Sequence, residues 1–105
     1  MNMKFWLGAA CAALTMNVFA ADYVVGQKNK AFSPVFIKIK VGDTINFVNE
    51  DRFFHNVFSL SDVESFDLGS YPLGQGRKVT FNKRGQVQVE CAIHPFMKMR
   101  VEVVN

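Results

Sequence analysis

Within the seven residues Cys91-Ala-Ile-His94-Pro-Phe-Met97 the chain places a thiol, an imidazole and a thioether. A second imidazole, His55, lies upstream in His55-Asn-Val-Phe, and these are the only two histidines in 105 residues. Two imidazole nitrogens, one thiolate and one weak thioether suit copper in both oxidation states, since copper(I) prefers soft sulfur and copper(II) accepts imidazole and thiolate. A trigonal His₂Cys centre with a long axial Met is the arrangement of copper electron-transfer sites. A site held rigidly between the two states lowers the reorganisation cost of moving an electron. Taken singly these residues carry little: a buried Cys is usually a small hydrophobe and a Met usually core filler. The spacing turns them into a donor set.

Other chemistries fit less well. A Cys91/His94 pair could form an activated thiolate, but no oxyanion-hole motif accompanies it, and four ligands leave no open position for substrate. Multicopper catalysis needs many more histidines than two. Zinc binds Met poorly. A copper-binding or delivery module without a fast redox role would use the same four residues, and slow electron self-exchange would reveal it.

The elements that must position these residues read as strands. Val35, Ile37, Ile39 and Val41 alternate with Phe36, Lys38 and Lys40 across a run from Pro34 to Val41, the period of a strand with one buried face. Gly42-Asp43 makes a turn. Ile45 and Phe47 alternate in the run 44–49, and Phe54 to Leu60 is a third run. Arg77 to Phe81 turns Val79 and Phe81 inward, and Val87, Val89 and Cys91 share the inner face of the run that ends at Cys91. Met99, Val101 and Val103 mark the last strand, and Tyr23 to Gln27 a first one. The stretch from Ser61 to Gly76, broken by Gly69, Pro72, Gly74 and Gly76, reads as irregular, with at most a short helical turn near Asp62 to Phe66. Short strands at this spacing argue for an all-β antiparallel sandwich of about seven strands.

This architecture explains the convergence. Cys91 ends an inward-facing strand, and Pro95 forbids continuing the ladder, so the chain turns sharply and can aim residues 91, 94 and 97 at one point. His55 begins a strand beside the turn formers Asn49-Glu-Asp-Arg52. The ligands then meet at one pole, on loops carried by rigid sheets. The second ring nitrogen of His94, on an external loop, is expected to face solvent. Met99 competes with Met97 as thioether donor. Strand alternation sends Met99 into the core with Val101 and Val103 and favours Met97.

Residues 1–20 read as an export leader: Lys4, an apolar stretch from Phe5 to Ala13, then Val18-Phe19-Ala20 with small or β-branched residues for a peptidase cut after Ala20. Thr15 and Asn17 interrupt the apolar run, which is shorter than the about 20 residues of a membrane span. A lipoprotein reading through Cys11 leaves too short an apolar core before it. Residues 21–105 then form one domain, exported to the periplasm. Removal of the leader takes Cys11 with it, so Cys91 has no partner for a disulfide. Metal ligation protects such a lone thiol and stabilises the fold. The full chain carries a net charge of +3, of which Lys4 supplies one. The remaining cations lie in scattered pairs, such as Lys38/Lys40 and Lys83/Arg84, which suits a solvated sheet face and not nucleic acid.

With these motifs in place, the chain resembles a cupredoxin of the plastocyanin/amicyanin group. Phe32-Ser-Pro34, Val41-Gly-Asp-Thr44, Asn49-Glu-Asp51, His55-Asn56-Val57, Lys83-Arg-Gly85 and Cys91-Ala-Ile-His94-Pro-Phe-Met97 carry the likeness over nearly all of residues 21–105. The short loop with Pro95-Phe96 is most similar to amicyanin. Met99 departs from the group, standing where a Gly is usual. The resemblance implies a Greek-key β-sandwich of seven to eight strands and one type 1 copper ion held by His55, Cys91, His94 and Met97. It also implies that the amide of Asn56 bonds the Cys91 sulfur while its side chain steadies the ligand loop. Pro95 and Phe96 are implied as a docking patch for redox partners. The implied function is that of a soluble, monomeric one-electron carrier and not an enzyme. Release of a protonated His94 in the reduced form is a further implication.

Overall fold

Branched and aromatic residues at every second position commit most of this chain to extended structure, because each such segment buries one face and wets the other. The computed structural model describes residues 19–105. The leader reading over residues 1–20 falls almost wholly outside the described residues. Nine strands follow in order: β1 Asp22–Lys28, β2 Ala31–Ser33, β3 Phe36–Lys40, β4 Thr44–Asn49, β5 His55–Leu60, β6 Ser65–Tyr71, β7 Gly76–Thr80, β8 Gly85–Cys91 and β9 Lys98–Val104. One sheet has the order β2-β1-β4-β7 and the other β3-β9-β8-β5-β6. The described residues contain no helix.

The sandwich is mixed and not wholly antiparallel as expected. β1 runs parallel to β4, and β3 parallel to β9. Parallel neighbours require a crossover. The chain supplies it by leaving the first sheet after β2, adding β3 to the second, and returning as β4.

Inner faces meet as the alternation requires. Ile45, Phe47, Val87, Val89 and Val101 are fully buried, and Met99 and Val103 nearly so. Phe66 bridges to Phe47 and Phe81, each at a ring-centroid distance of 6.2 Å. The alternation read over Pro34 to Val41 overreached: Val35 and Val41 are 63% and 40% exposed. β3 spans only Phe36–Lys40, so both valines lie in connections, where period two no longer fixes a face.

Two strands, β2 and β6, lie beyond the seven runs read from the sequence. β2 is only three residues long and pairs with β1 through a turn at Asn29-Lys30. β6 runs through the stretch taken as irregular, in place of any helical turn there. It pairs with β5 along its length, with a register shift between Asn56 and Phe58. Gly69, at a φ of 73°, absorbs that shift. Both pairings place strand ends at the pole where β8 stops.

Candidate metal centre

Cys91 is the last residue of β8, and β9 resumes at Lys98. The intervening turn is closed by its own backbone: Met97 N donates to His94 O at 2.8 Å, and Cys91 N donates to Met97 O at 3.3 Å. Ala92 N donates to Asn56 O at 2.9 Å, tying the turn to β5. These bonds hold residues 91, 94 and 97 on one tight loop. His55 enters from the first position of β5, whose pairing with β8 sets Val57 opposite Cys91.

Nδ1 of His55 lies 3.5 Å from Cys91 Sγ, and Nδ1 of His94 lies 3.8 Å from the same sulfur. The ligand atoms of His55, Cys91 and His94 all fall within 4.8 Å of one another. His55 and Cys91 are buried and His94 is half-buried. Met97, expected as the axial donor, is buried at the end of the turn, while Met99 sits in the core on β9 beside Val89. Pro95 and Phe96 are exposed.

Asp51 is the member of the site that the sequence reading missed. Its Oδ2 lies 2.8 Å from His55 Nε2. A carboxylate only accepts, so Nε2 carries the hydrogen and Nδ1 of the neutral ring keeps its lone pair toward Cys91. The same carboxylate receives Asn29 N at 2.7 Å and Lys30 N at 3.1 Å. Those two residues have φ of 55° and 58°, so Asp51 fixes the left-handed β1–β2 turn and the ring of His55 together. Burial alone raises the Asp51 carboxyl, but the hydrogen bonds from His55, Lys30 and Asn29 outweigh it and hold the group below its ordinary range. Asn49, fully buried, holds Asp51 in turn: its Oδ1 accepts Asp51 N, and its Nδ2 donates to Phe53 O and Tyr71 O. The signal available in sequence was an acidic residue four positions before a histidine ligand, inside a turn.

The Asn56 side chain does not reach the ligand loop as the resemblance implied. Its side chain faces outward and donates to Asp67 Oδ1 on β6 at 3.0 Å. Strand alternation explains this, because His55 and Val57 take the inner face. Among the described residues no bond joins its amide to Cys91 Sγ, and it steadies the ligand loop through its carbonyl.

Aromatic rings enclose the centre. Phe53 packs 5.3 Å from the ring of His55 and 5.2 Å from that of His94, and Phe96 packs 6.1 Å from His94. Lys30 Nζ stands 5.6 Å over the Phe53 ring. The His94 imidazole titrates below its ordinary value, first because packing removes its water, then because His55 and Lys30 disfavour a further cation, with Asp51 opposing them. Phe53, Phe54, Leu73, Ile93 and Phe96 leave large apolar surfaces exposed around this pole.

The donor set fits copper. The donor atoms of His55, Cys91 and His94 are close enough for one ion, the sulfur is buried, and both nearby imidazoles turn Nδ1 to it while Asp51 occupies the other nitrogen of His55.

A two-sheet β-sandwich with a His₂Cys cluster and a buried Met at one pole defines a single-site metalloprotein of the cupredoxin class. A family model described as copper binding proteins, plastocyanin/azurin family, matches residues 20–104, and the chain belongs to that family. Among curated relatives, the methylamine utilization protein MauL of Methylorubrum extorquens is 34% identical over 68 residues, which cover 64% of this chain and 60% of that protein. Pseudoazurin of Paracoccus pantotrophus is 31% identical over 99 residues, 87% of this chain and 68% of its own. Among solved structures, a reduced single-site mutant of amicyanin superposes with a TM-score of 0.71 at 28% identity, covering 76% of this chain and 79% of its own. A copper-containing nitrite reductase from Thermus scotoductus SA-01 superposes with a TM-score of 0.74 at 28% identity, covering 86% of this chain. This chain spans only 23% of that nitrite reductase.

Proposed function

We propose that this protein is an exported type 1 copper protein that carries single electrons between redox partners in the periplasm. His55, Cys91, His94 and Met97 would hold the copper ion. Copper, when bound, supplies a reversible one-electron couple. The chain's own residues do the rest: Asp51 orients His55, the closed 91–97 turn fixes Cys91 and His94, and Phe53 and Met97 exclude water. The observation that carries the reading is the approach of both Nδ1 atoms to one buried sulfur, at 3.5 Å and 3.8 Å.

Four protein ligands leave no open coordination position, which favours a carrier over an enzyme. The leader is removed after Ala20, and the mature domain works as a soluble monomer. Partners dock on the exposed apolar surface formed by Ile93, Pro95 and Phe96 with Phe54, where His94 offers the shortest route from the metal. Apolar area ringing a buried redox site suits transient association.

Copper(II) added to the mature protein is expected to give the intense visible absorption of a thiolate-to-copper transition, and Cys91→Ser to abolish it. A colourless adduct overturns the assignment. Slow electron self-exchange by a blue adduct would instead mark a delivery module.

A further inference from the structure

Asp43 is a buried carboxylate, 4% exposed, at the pole opposite the metal centre. Its Oδ2 accepts Lys40 N at 2.8 Å, and its Oδ1 accepts Ala21 N at 2.8 Å. Both donors are main-chain amides. Among the described residues no side-chain cation lies in ion-pair contact with it, the one such contact there being His55 with Asp51. A buried anion served by neutral donors alone is costly, and a cation on one of those donors would compensate it.

The position of Ala21 supplies that cation. Ala21 is clamped on both sides, since its nitrogen meets Asp43 and its carbonyl accepts Thr44 N at 3.0 Å. The next residue, Asp22, opens β1 in register with Thr44. We infer that Asp43 is a receptor for the α-ammonium of Ala21, released when the leader is cut after Ala20, so that export processing completes a buried ion pair. This rests on the cleavage site proposed above.

The step is hydrolysis by a leader peptidase. Water adds across the Ala20–Ala21 amide, its hydroxyl going to the Ala20 carbonyl carbon to give a departing carboxylate. The nitrogen of Ala21 gains protons and becomes –NH₃⁺. One of its hydrogens already points at Asp43 Oδ1. Phe19 and Ala20 wall a surface pocket there with Lys40, Val41, Gly42 and Asn105. Their departure opens the other two hydrogens to water. The contact between a neutral amide and the carboxylate becomes an ion pair of opposite charges, without any movement of the backbone.

The test compares copper-loaded protein beginning at Ala21 with the same protein beginning at Ala20, each with and without Asp43→Asn. The Ala21 form is expected to melt about 5 °C higher, a shift of the size small domains show for one good interaction. In the Asp43→Asn pair that difference is expected to vanish. An equal difference in both backgrounds, or none in either, overturns the inference. Should Asp43→Asn fail to fold, amine acylation of the native Ala21 form gives the answer: the α-amine is expected to react at least about tenfold more slowly than in urea, as befits a group held in a pair. Equal reactivity overturns it. The mass of the exported protein tests the cleavage site separately, because a cut elsewhere removes the processing reading while the melting comparison still measures the receptor.

Discussion

Asp51 Oδ2 meets His55 Nε2 at 2.8 Å, in a site where the imidazole is fully buried and the carboxylate 7% exposed. That contact selects the ring atom offered to the metal and joins the ligand to the β1–β2 turn. A negative partner on the far nitrogen raises the basicity of the ligating one and favours the more highly charged metal state. Asp51→Asn keeps the shape and removes the charge. It is expected to raise the reduction potential and to weaken copper(II) binding by about 10- to 100-fold. Voltammetry and a competition titration check this, and an unchanged potential would show that the contact only shapes the loop.

The outward turn of Asn56 separates its backbone role from its side-chain role. Asn56→Ala leaves the Ala92 N to Asn56 O bond in place and removes only the bond to Asp67. Stability is expected to fall by about 1 kcal/mol or less, as for one exposed hydrogen bond, with the visible spectrum of the copper form intact. A bleached or strongly shifted spectrum would restore the side chain to the ligand loop.

Much of this arrangement was legible in sequence, and what was hidden was hidden for physical reasons. Cys91, His94 and Met97 lie on one turn, so their convergence follows from spacing and Pro95. Strong alternation located β4, β8 and β9, whose inner faces are apolar apart from Asn49 at the end of β4. β6 was not visible because its half-buried positions, Phe66 and Leu68, are separated from the buried Tyr71 by Gly69 at the register shift, which breaks the period. β2 is too short to show any period. Asp51 read as a turn former because nothing local distinguishes a carboxylate facing water from one folded onto a histidine. Its role depends on the Asn29-Lys30 turn, 21 and 22 positions away.

Tyr71 sits opposite His55 across β5 and β6 and is fully buried. Its hydroxyl donates to Phe47 O at 3.0 Å and accepts from Gln27 Nε2 at 2.9 Å. Burial pushes the phenol up to about 12, with the nearby Cys91 adding to the rise and Gln27 and Arg77 opposing it. The folded state therefore holds this proton after the unfolded chain, with a phenol near about 10, has lost it. The stability tied to it is complete below about pH 10 and drains away as pH rises toward 12. Tyr71→Phe is expected to be less stable than the parent at neutral pH by about 1–2 kcal/mol, and its alkaline decline to be shallower. Urea melts at several pH values between 9 and 12 test the crossing trend. Parallel declines would mean that the phenol does not control the alkaline limb.

Phe96 is 69% exposed and packs edge-on against His94 at 6.1 Å. An exposed ring contributes little to folding, so Phe96→Ala is expected to change stability by no more than about 0.5 kcal/mol. The same ring belongs to the apolar pole, where a docking partner would cover it. Central aromatic residues dominate transient interfaces, and truncating one typically costs a factor of about ten or more in affinity. Phe96→Ala is therefore expected to keep its spectrum and melting point while its second-order reaction with a purified redox partner slows by about tenfold. Arg84→Glu, at the far end of the β7–β8 connection, is the control and is expected to leave that rate within about twofold at high salt, where screening removes distant charge effects. If both variants slow the reaction alike, partners do not approach over the metal-bearing pole, and the electron leaves by a route other than His94.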